Sequence, residues 1–84
     1  MNKNKLDFII KNIVDVCNRG LTLNQTKEYV LNGEFTGDDY WYVVTNEFSG
    51  IIVQKLKELG VSSSIEVRLN DVEKVFKFKI TVWR

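Results

Sequence analysis

Residues 36–60, TGDDYWYVVTNEFSGIIVQKLKELG, are the stretch whose reading decides the fold. Its apolar members are Tyr40, Trp41, Val44, Phe48, Ile51, Ile52, Leu56 and Leu59. At 100° per residue they occupy one arc of roughly 160°, the width of a core-facing helix stripe. Strand alternation fails beyond Val44, where apolar residues recur at three- and four-residue steps. Thr36 is placed as N-cap with Asp39 three residues on, and Asp38 and Asp39 sit where the positive end of the helix dipole favours carboxylates. Gly60 suits the left-handed position that ends a helix. Gly50, in the interior, costs about 1 kcal/mol relative to alanine. The spacing predicts one long helix over about 37–59. The competing reading makes the aromatic and β-branched run Tyr40–Thr45 a short strand and starts the helix at Asn46.

Upstream, Leu6, Ile9, Ile10, Ile13, Val14, Val16 and Cys17 share a second arc, which predicts a helix over about 5–18 closed by Gly20. Cys17 falls on the buried side as a small core residue, and Phe8 falls on the polar side. Leu21 is read as a minimal extended link. Thr22 with Gln25 three residues later has the capping-box pattern. Leu23, Thr26 and Val30 then line a short helix over about 22–32 that stops at Asn32-Gly33. Phe35 plugs the core from the linker.

Downstream the period changes to two. Ile65, Val67 and Leu69 alternate with charged residues, as do Phe76, Phe78, Ile80 and Val82. This predicts an antiparallel hairpin with strands at about 62–69 and 74–83, turning at Asn70-Asp71. A two-residue loop would pair Arg68 with Glu73. A four-residue loop pairs Val67 with Phe76, Ile65 with Phe78 and Glu66 with Lys77, and is preferred because it sets apolar residues opposite one another. The second strand is expected to outrun the first and reach along the helices, with Trp83, out of phase, either covering the other sheet face or staying available to a partner. The fold class expected is α+β, three helices followed by a C-terminal hairpin.

The chain has 84 residues, 44% hydrophobic and 27% charged, which fits a single globular domain over 1–84 with a small core. A formal net charge of +1 gives no bulk drive toward nucleic acid or membrane. One cysteine excludes an internal disulfide and fits a reducing compartment. No apolar run is long enough to span a membrane and the N-terminus does not read as a signal peptide, so the expected location is cytoplasmic. The richness in Lys, Asn and Ile fits an AT-rich bacterial or phage source.

With no histidine and one buried-looking cysteine, zinc sites and Ser/His or Cys/His nucleophiles lack material. Gly33 and Gly37 before a helix do not make a phosphate loop, because no lysine follows and Asp38-Asp39 repels phosphate. Ser62-Ser63-Ser64 is strand entry. The expectation is a non-enzymatic binding protein with no cofactor, no metal and no small-molecule substrate.

Two surfaces are candidates. Off the core arc of the long helix lie Tyr42, Val43, Asn46, Ser49, Gly50, Val53 and Lys57. A solvent-facing side rarely needs Tyr, two Val and a Gly together. With Asp38 and Asp39 this face is expected to bind a protein partner or form a homodimer, as in small regulators or inhibitors of phage or mobile-element type. The second surface follows from the element order, which resembles a winged helix-turn-helix. That resemblance implies DNA binding, with the long helix as recognition helix and residues 61–83 as the wing. The hairpin cations Arg68, Lys74, Lys77 and Lys79 would then meet the backbone. Asp38 and Asp39 at the start of the recognition helix weigh against it.

Overall fold

A computed structural model describes residues 3–23, 27–45 and 47–84 of the chain. It shows an α+β fold of three helices and a three-stranded antiparallel sheet, with the strands interleaved among the helices.

The first helix, α1 (Lys3–Leu23), is longer than its caps suggested. Leu6, Ile10, Val14, Cys17 and Leu21 recur at steps of four, four, three and four, and all are buried. The apolar stripe therefore carries the helix through Gly20, which does not cap it. Leu21 is a core residue of that helix and not a strand. The Thr22 hydroxyl donates to the Asn18 carbonyl at 3.0 Å inside the last turn, so it is not an N-cap. Gln25 and Thr26 lie outside the described residues. Phe8 is on the outer side and 64% exposed.

The expected helix over 22–32 is overturned. Residues Glu28–Thr36 form a strand, β1. Tyr29, Leu31, Gly33 and Phe35 face the helices and are half-buried, while Glu28, Val30, Asn32 and Glu34 face out. Two glycines explain the close fit of this strand. A Cβ at Gly20 would meet ring carbons of Tyr29 at 2.5–2.6 Å, so only glycine lets α1 approach that ring. A Cβ at Gly33 would meet Cζ of Phe78 at 2.4 Å, so the missing side chain of β1 is the space that Phe78 fills. Asn32-Gly33 is not a turn.

The single long helix is also corrected. Thr36 is the last paired residue of β1, opposite Val75, and no N-cap. After Gly37 (φ 63) come α2 (Asp38–Thr45) and α3 (Phe48–Glu58), separated by a left-handed Glu47 with φ 52. Phase explains the break. Tyr40 and Val43 are buried, and an unbroken helix would bring position 47 to the core, where the sequence has glutamate. The turn at Glu47 advances the phase by one residue, so that Phe48, Ile52 and Leu56 take the buried line. Val43, read from the sequence as outward, is thus buried, and Leu59, read as core, is 52% exposed. Asn46 and the side chain of Trp41 lie outside the described residues. The end of α3 is as expected. Gly60 (φ 74) donates to the Lys57 carbonyl at 3.0 Å and Val61 to the Leu56 carbonyl at 2.9 Å, a Schellman cap with Leu56 and Val61 both in the core.

The hairpin is β2 (Ser62–Asn70) and β3 (Val75–Trp83). Its four-residue loop, 71–74, is as long as preferred from the sequence, but sits one residue later. The register shifts by two, so that Ile65 faces Ile80, Val67 faces Phe78 and Glu66 faces Lys79. A shift of two keeps every side chain on its face. The strands end flush, Ser62 opposite Trp83, so β3 has no overhanging tail. The loop is set by Asn70, whose Oδ1 accepts from the backbone N–H of Val72 and Glu73 at 3.1 and 3.0 Å. Sheet order is β1-β3-β2, with β3 central.

All three helices pack on one face of this sheet. The centre of the core is a group of four phenylalanines from three elements: Phe35 (β1), Phe48 (α3), Phe76 and Phe78 (β3). All six pairs have ring centroids between 5.2 and 6.4 Å, a close mutual cluster. The other face of the sheet carries Val30, Asn32, Glu34, Glu66, Arg68, Lys77 and Lys79, with Trp83 at its end.

Candidate functional site

The break at Glu47 divides the expected binding face. Gly50, Val53 and Lys57 project from α3 within an arc of about 60°, opposite the buried line of Phe48, Ile52 and Leu56. All three are exposed, and Ser49 beside them is half-buried. Asp38, Asp39 and Tyr42 belong to the separate helix α2, where Asp38 is exposed and the other two are half-buried.

Gly50 stands apart from the other glycines. Gly20 and Gly33 are required by rings packed against them, and Gly37 and Gly60 by positive φ. Gly50 has neither reason: it lies in a helix, and beyond its chain neighbours and its own helix backbone no atom lies within 4 Å of where a Cβ would sit. In the first turn of α3 a glycine is a poorer helix former than alanine, and no packing contact or positive φ in the fold requires it. Next to it Val53 is 40% exposed.

The hairpin cations divide as well. Arg68, Lys77 and Lys79 gather on the outer sheet face, lining one shallow depression with Asn32 and Glu66. The cross-strand rows are Glu34–Lys77–Arg68 and Asn32–Lys79–Glu66. Lys77 thus has a carboxylate on one side and a like charge on the other, and two acids stand among the three bases. Lys74 is elsewhere. In a left-handed conformation (φ 58), it places its ammonium 5.9 Å from the Tyr40 ring centre.

The sequence reading missed the contact beneath Lys74. The Tyr40 hydroxyl donates to Oδ1 of Asp71, tying α2 to the β2–β3 loop. The signal was present in part, since Asn70-Asp71 was read as turn chemistry and Tyr40 as core. The hydrogen bond to Asp71 raises the Tyr40 phenol above its ordinary value near 10, and burial and the Asp71 charge add to the rise. The folded state therefore holds this proton more tightly than the unfolded chain. The associated stability is complete below pH 10 and is lost as pH rises through the folded value. Urea midpoints at pH values of about 9 and 11 are expected to fall less in Asp71→Ala than in the parent, because that variant removes the main cause of the shift.

Two further side chains fix the frame. Arg84 donates to Oδ1 of Asn18 at 2.5 Å and to Oγ1 of Thr22 at 3.3 Å, joining the end of the chain to the last turns of α1. Cys17 is buried, and burial pushes its thiol up to about 11, in keeping with a core residue. The groove between α1 and α3 is lined by charged groups of both signs, including Asp7, Lys11, Asp15, Arg19, Lys55 and Glu58, with Arg19 paired to Asp15 at 3.2 Å. Val14 and Leu59 lie among these charged groups. No described helix is long and apolar enough to cross a membrane.

Comparison with protein-family models, with curated proteins and with solved structures finds no match to this chain.

Proposed function

We propose that this chain is a non-enzymatic protein-binding module that seats a partner on the outer face of α3, around Gly50, Val53 and Lys57. The observation that carries the reading is Gly50, a glycine in the first turn of α3 with open space above it and no steric or positive-φ requirement in its own fold. A glycine there lets a second backbone approach closely, while Val53 supplies apolar contact and Lys57 a charged rim. Ser49 adds to the surface on α3, and Asp38, Asp39 and Tyr42 offer further contacts on α2. A small cytoplasmic regulator or inhibitor of phage or mobile-element type is the class of protein that such a surface on such a chain fits.

Gly50→Arg fills the space above α3 without touching the core. It is expected to leave the unfolding transition within about 1 kcal/mol of the parent, since arginine is a better helix former than glycine. It is also expected to abolish capture of the partner from the source cell. Arg68→Glu, on the far face of the sheet, serves as the control and retains capture. Equal capture by the parent and Gly50→Arg would remove this reading.

The second reading is DNA binding. It is favoured by the gathering of Arg68, Lys77 and Lys79 on one face and by the order helix, strand, helix, helix, hairpin, which keeps the outline of a winged helix with β1 in the place given to Leu21. It has less support. α3 begins after Glu47 and carries no base in its first turn, its lysines 55 and 57 lying at the other end. Titration with mixed duplex DNA at two salt concentrations separates the readings, because a phosphate-binding face loses affinity steeply with salt.

A further inference from the structure

The edge strand β2 is dressed unlike an edge that is meant to stay alone. Its first half, Ser62–Ile65, includes residues shielded by α3, but from Glu66 to Asn70 every residue is exposed. On the helix side this leaves Val67 at 37% and Leu69 at 53% exposure. On the outer side Arg68 stands directly opposite Lys77 of its own sheet, a like-charge pairing that destabilises. Neither Glu66 nor Arg68 is held in an ion pair among the described residues.

We propose that β2 pairs antiparallel with β2 of a second copy about a two-fold axis at Val67, joining two three-stranded sheets into one of six strands. That register sets Glu66 opposite the second copy's Arg68, and Arg68 opposite its Glu66, so both unpaired charges are matched and Arg68 gains a carboxylate on the side away from Lys77. On the helix side Val67 meets its own mate and exposed Leu69 meets half-buried Ile65. The exposed half of each strand lies along the shielded half of the other. An isologous contact of this kind closes on itself and stops at two.

The charges make the choice of edge and register. The opposite edge, β1, carries Glu28 and Glu34 and no base, so no self-pairing of β1 sets opposite charges together. Centring β2 on Glu66 or on Arg68 places like charges on the axis. Only the axis at Val67 satisfies both charges and aligns the apolar row. Gly50 is on α3 and the charges of this pairing are on β2, so separate substitutions test the pairing and the partner surface.

Sedimentation equilibrium of the full chain is expected to show a monomer–dimer equilibrium. Glu66→Arg alone and Arg68→Glu alone each place like charges across the axis and are expected to weaken the dimer at least tenfold. The double exchange is expected to restore it, while Gly50→Arg leaves it unchanged. Circular dichroism checks that each variant is folded. Val67→Cys gives a second readout that does not depend on charge. The axis brings the two Cβ atoms within about 4.5–5.5 Å, so a mild oxidant forms an intermolecular disulfide. Leu69→Cys, whose mate is displaced by roughly 13 Å along the strands, does not cross-link. Buried Cys17 does not compete. A chain that stays monomeric to about 1 mM, the weak limit of specific association, overturns the proposal. So does a dimer insensitive to the single reversals, or Val67→Cys cross-linking no faster than Leu69→Cys.

Discussion

Phe48→Ala is expected to lower the unfolding free energy by about 3–5 kcal/mol, the range for removing a large buried aromatic from a packed core. Phe48 is 1% exposed and lies within 5.6 Å, ring centre to ring centre, of Phe35, Phe76 and Phe78. Its ring joins the helix layer to two strands, so truncation opens a cavity bordered by three rings that are anchored on the sheet and cannot collapse freely into it. A domain of 84 residues has a total stability of roughly 4–13 kcal/mol. The variant is therefore expected to be partly or wholly unfolded at 37 °C, read by urea titration of the far-ultraviolet signal. Phe48→Leu, which keeps most of the volume, is expected to cost well under half as much. Equal losses for the two would mean that the cluster is loosely packed.

Gly33→Ala carries the second large effect, by the opposite mechanism. Position 33 lies in a strand, where alanine is ordinarily as good as glycine or better. Its Cβ would sit 2.4 Å from Cζ of Phe78, a ring that is itself buried in the phenylalanine cluster. The ring has to shift against Phe35 and Phe48, and the expected cost is about 1–3 kcal/mol. Phe78→Leu removes the ring tip, so the pair Gly33→Ala with Phe78→Leu is expected to be less destabilised than the sum of the two single changes. A double-mutant cycle measures that coupling. Strict additivity would show that the ring does not lie over Gly33 in solution.

The same two residues show where the sequence was legible. Residues 29, 31, 33 and 35 alternate in phase as Tyr, Leu, Gly, Phe, a strand pattern with one apolar member missing. Read locally, Asn32-Gly33 is a turn and Val30 completes a helical face. The gap has meaning only once Phe78 is known to fill it, and that contact spans 45 positions of chain. Gly20 was hidden in the same way, because its reason is the Tyr29 ring. The steps from Leu6 to Leu21 did carry α1 past it. The long helix failed on phase: Tyr40, Val43 and Phe48 cannot share one unbroken helical line, and Glu47 stands where the line requires a core residue. The hairpin and its face alternation were fully legible. Its register was off by two, because the Asn70 side chain bonds forward to Val72 and Glu73 and so starts the loop one residue later. Of the expected partner surface, Gly50, Val53 and Lys57 stand together and exposed, whereas Asp38, Asp39 and Tyr42 are on another helix. Periodicity could not place the break between them.

The central claim, that the outer face of α3 receives a protein, is tested most directly by contact. Val53 replaced with a photoactivatable phenylalanine analogue places a zero-length probe beside Gly50, and Lys77 replaced in the same way places one on the far sheet face. The expected result on irradiation in the source cell is a discrete protein adduct from position 53 that disappears when Gly50→Arg is added. Adducts from position 77 to nucleic acid, with none to protein from position 53, would contradict it.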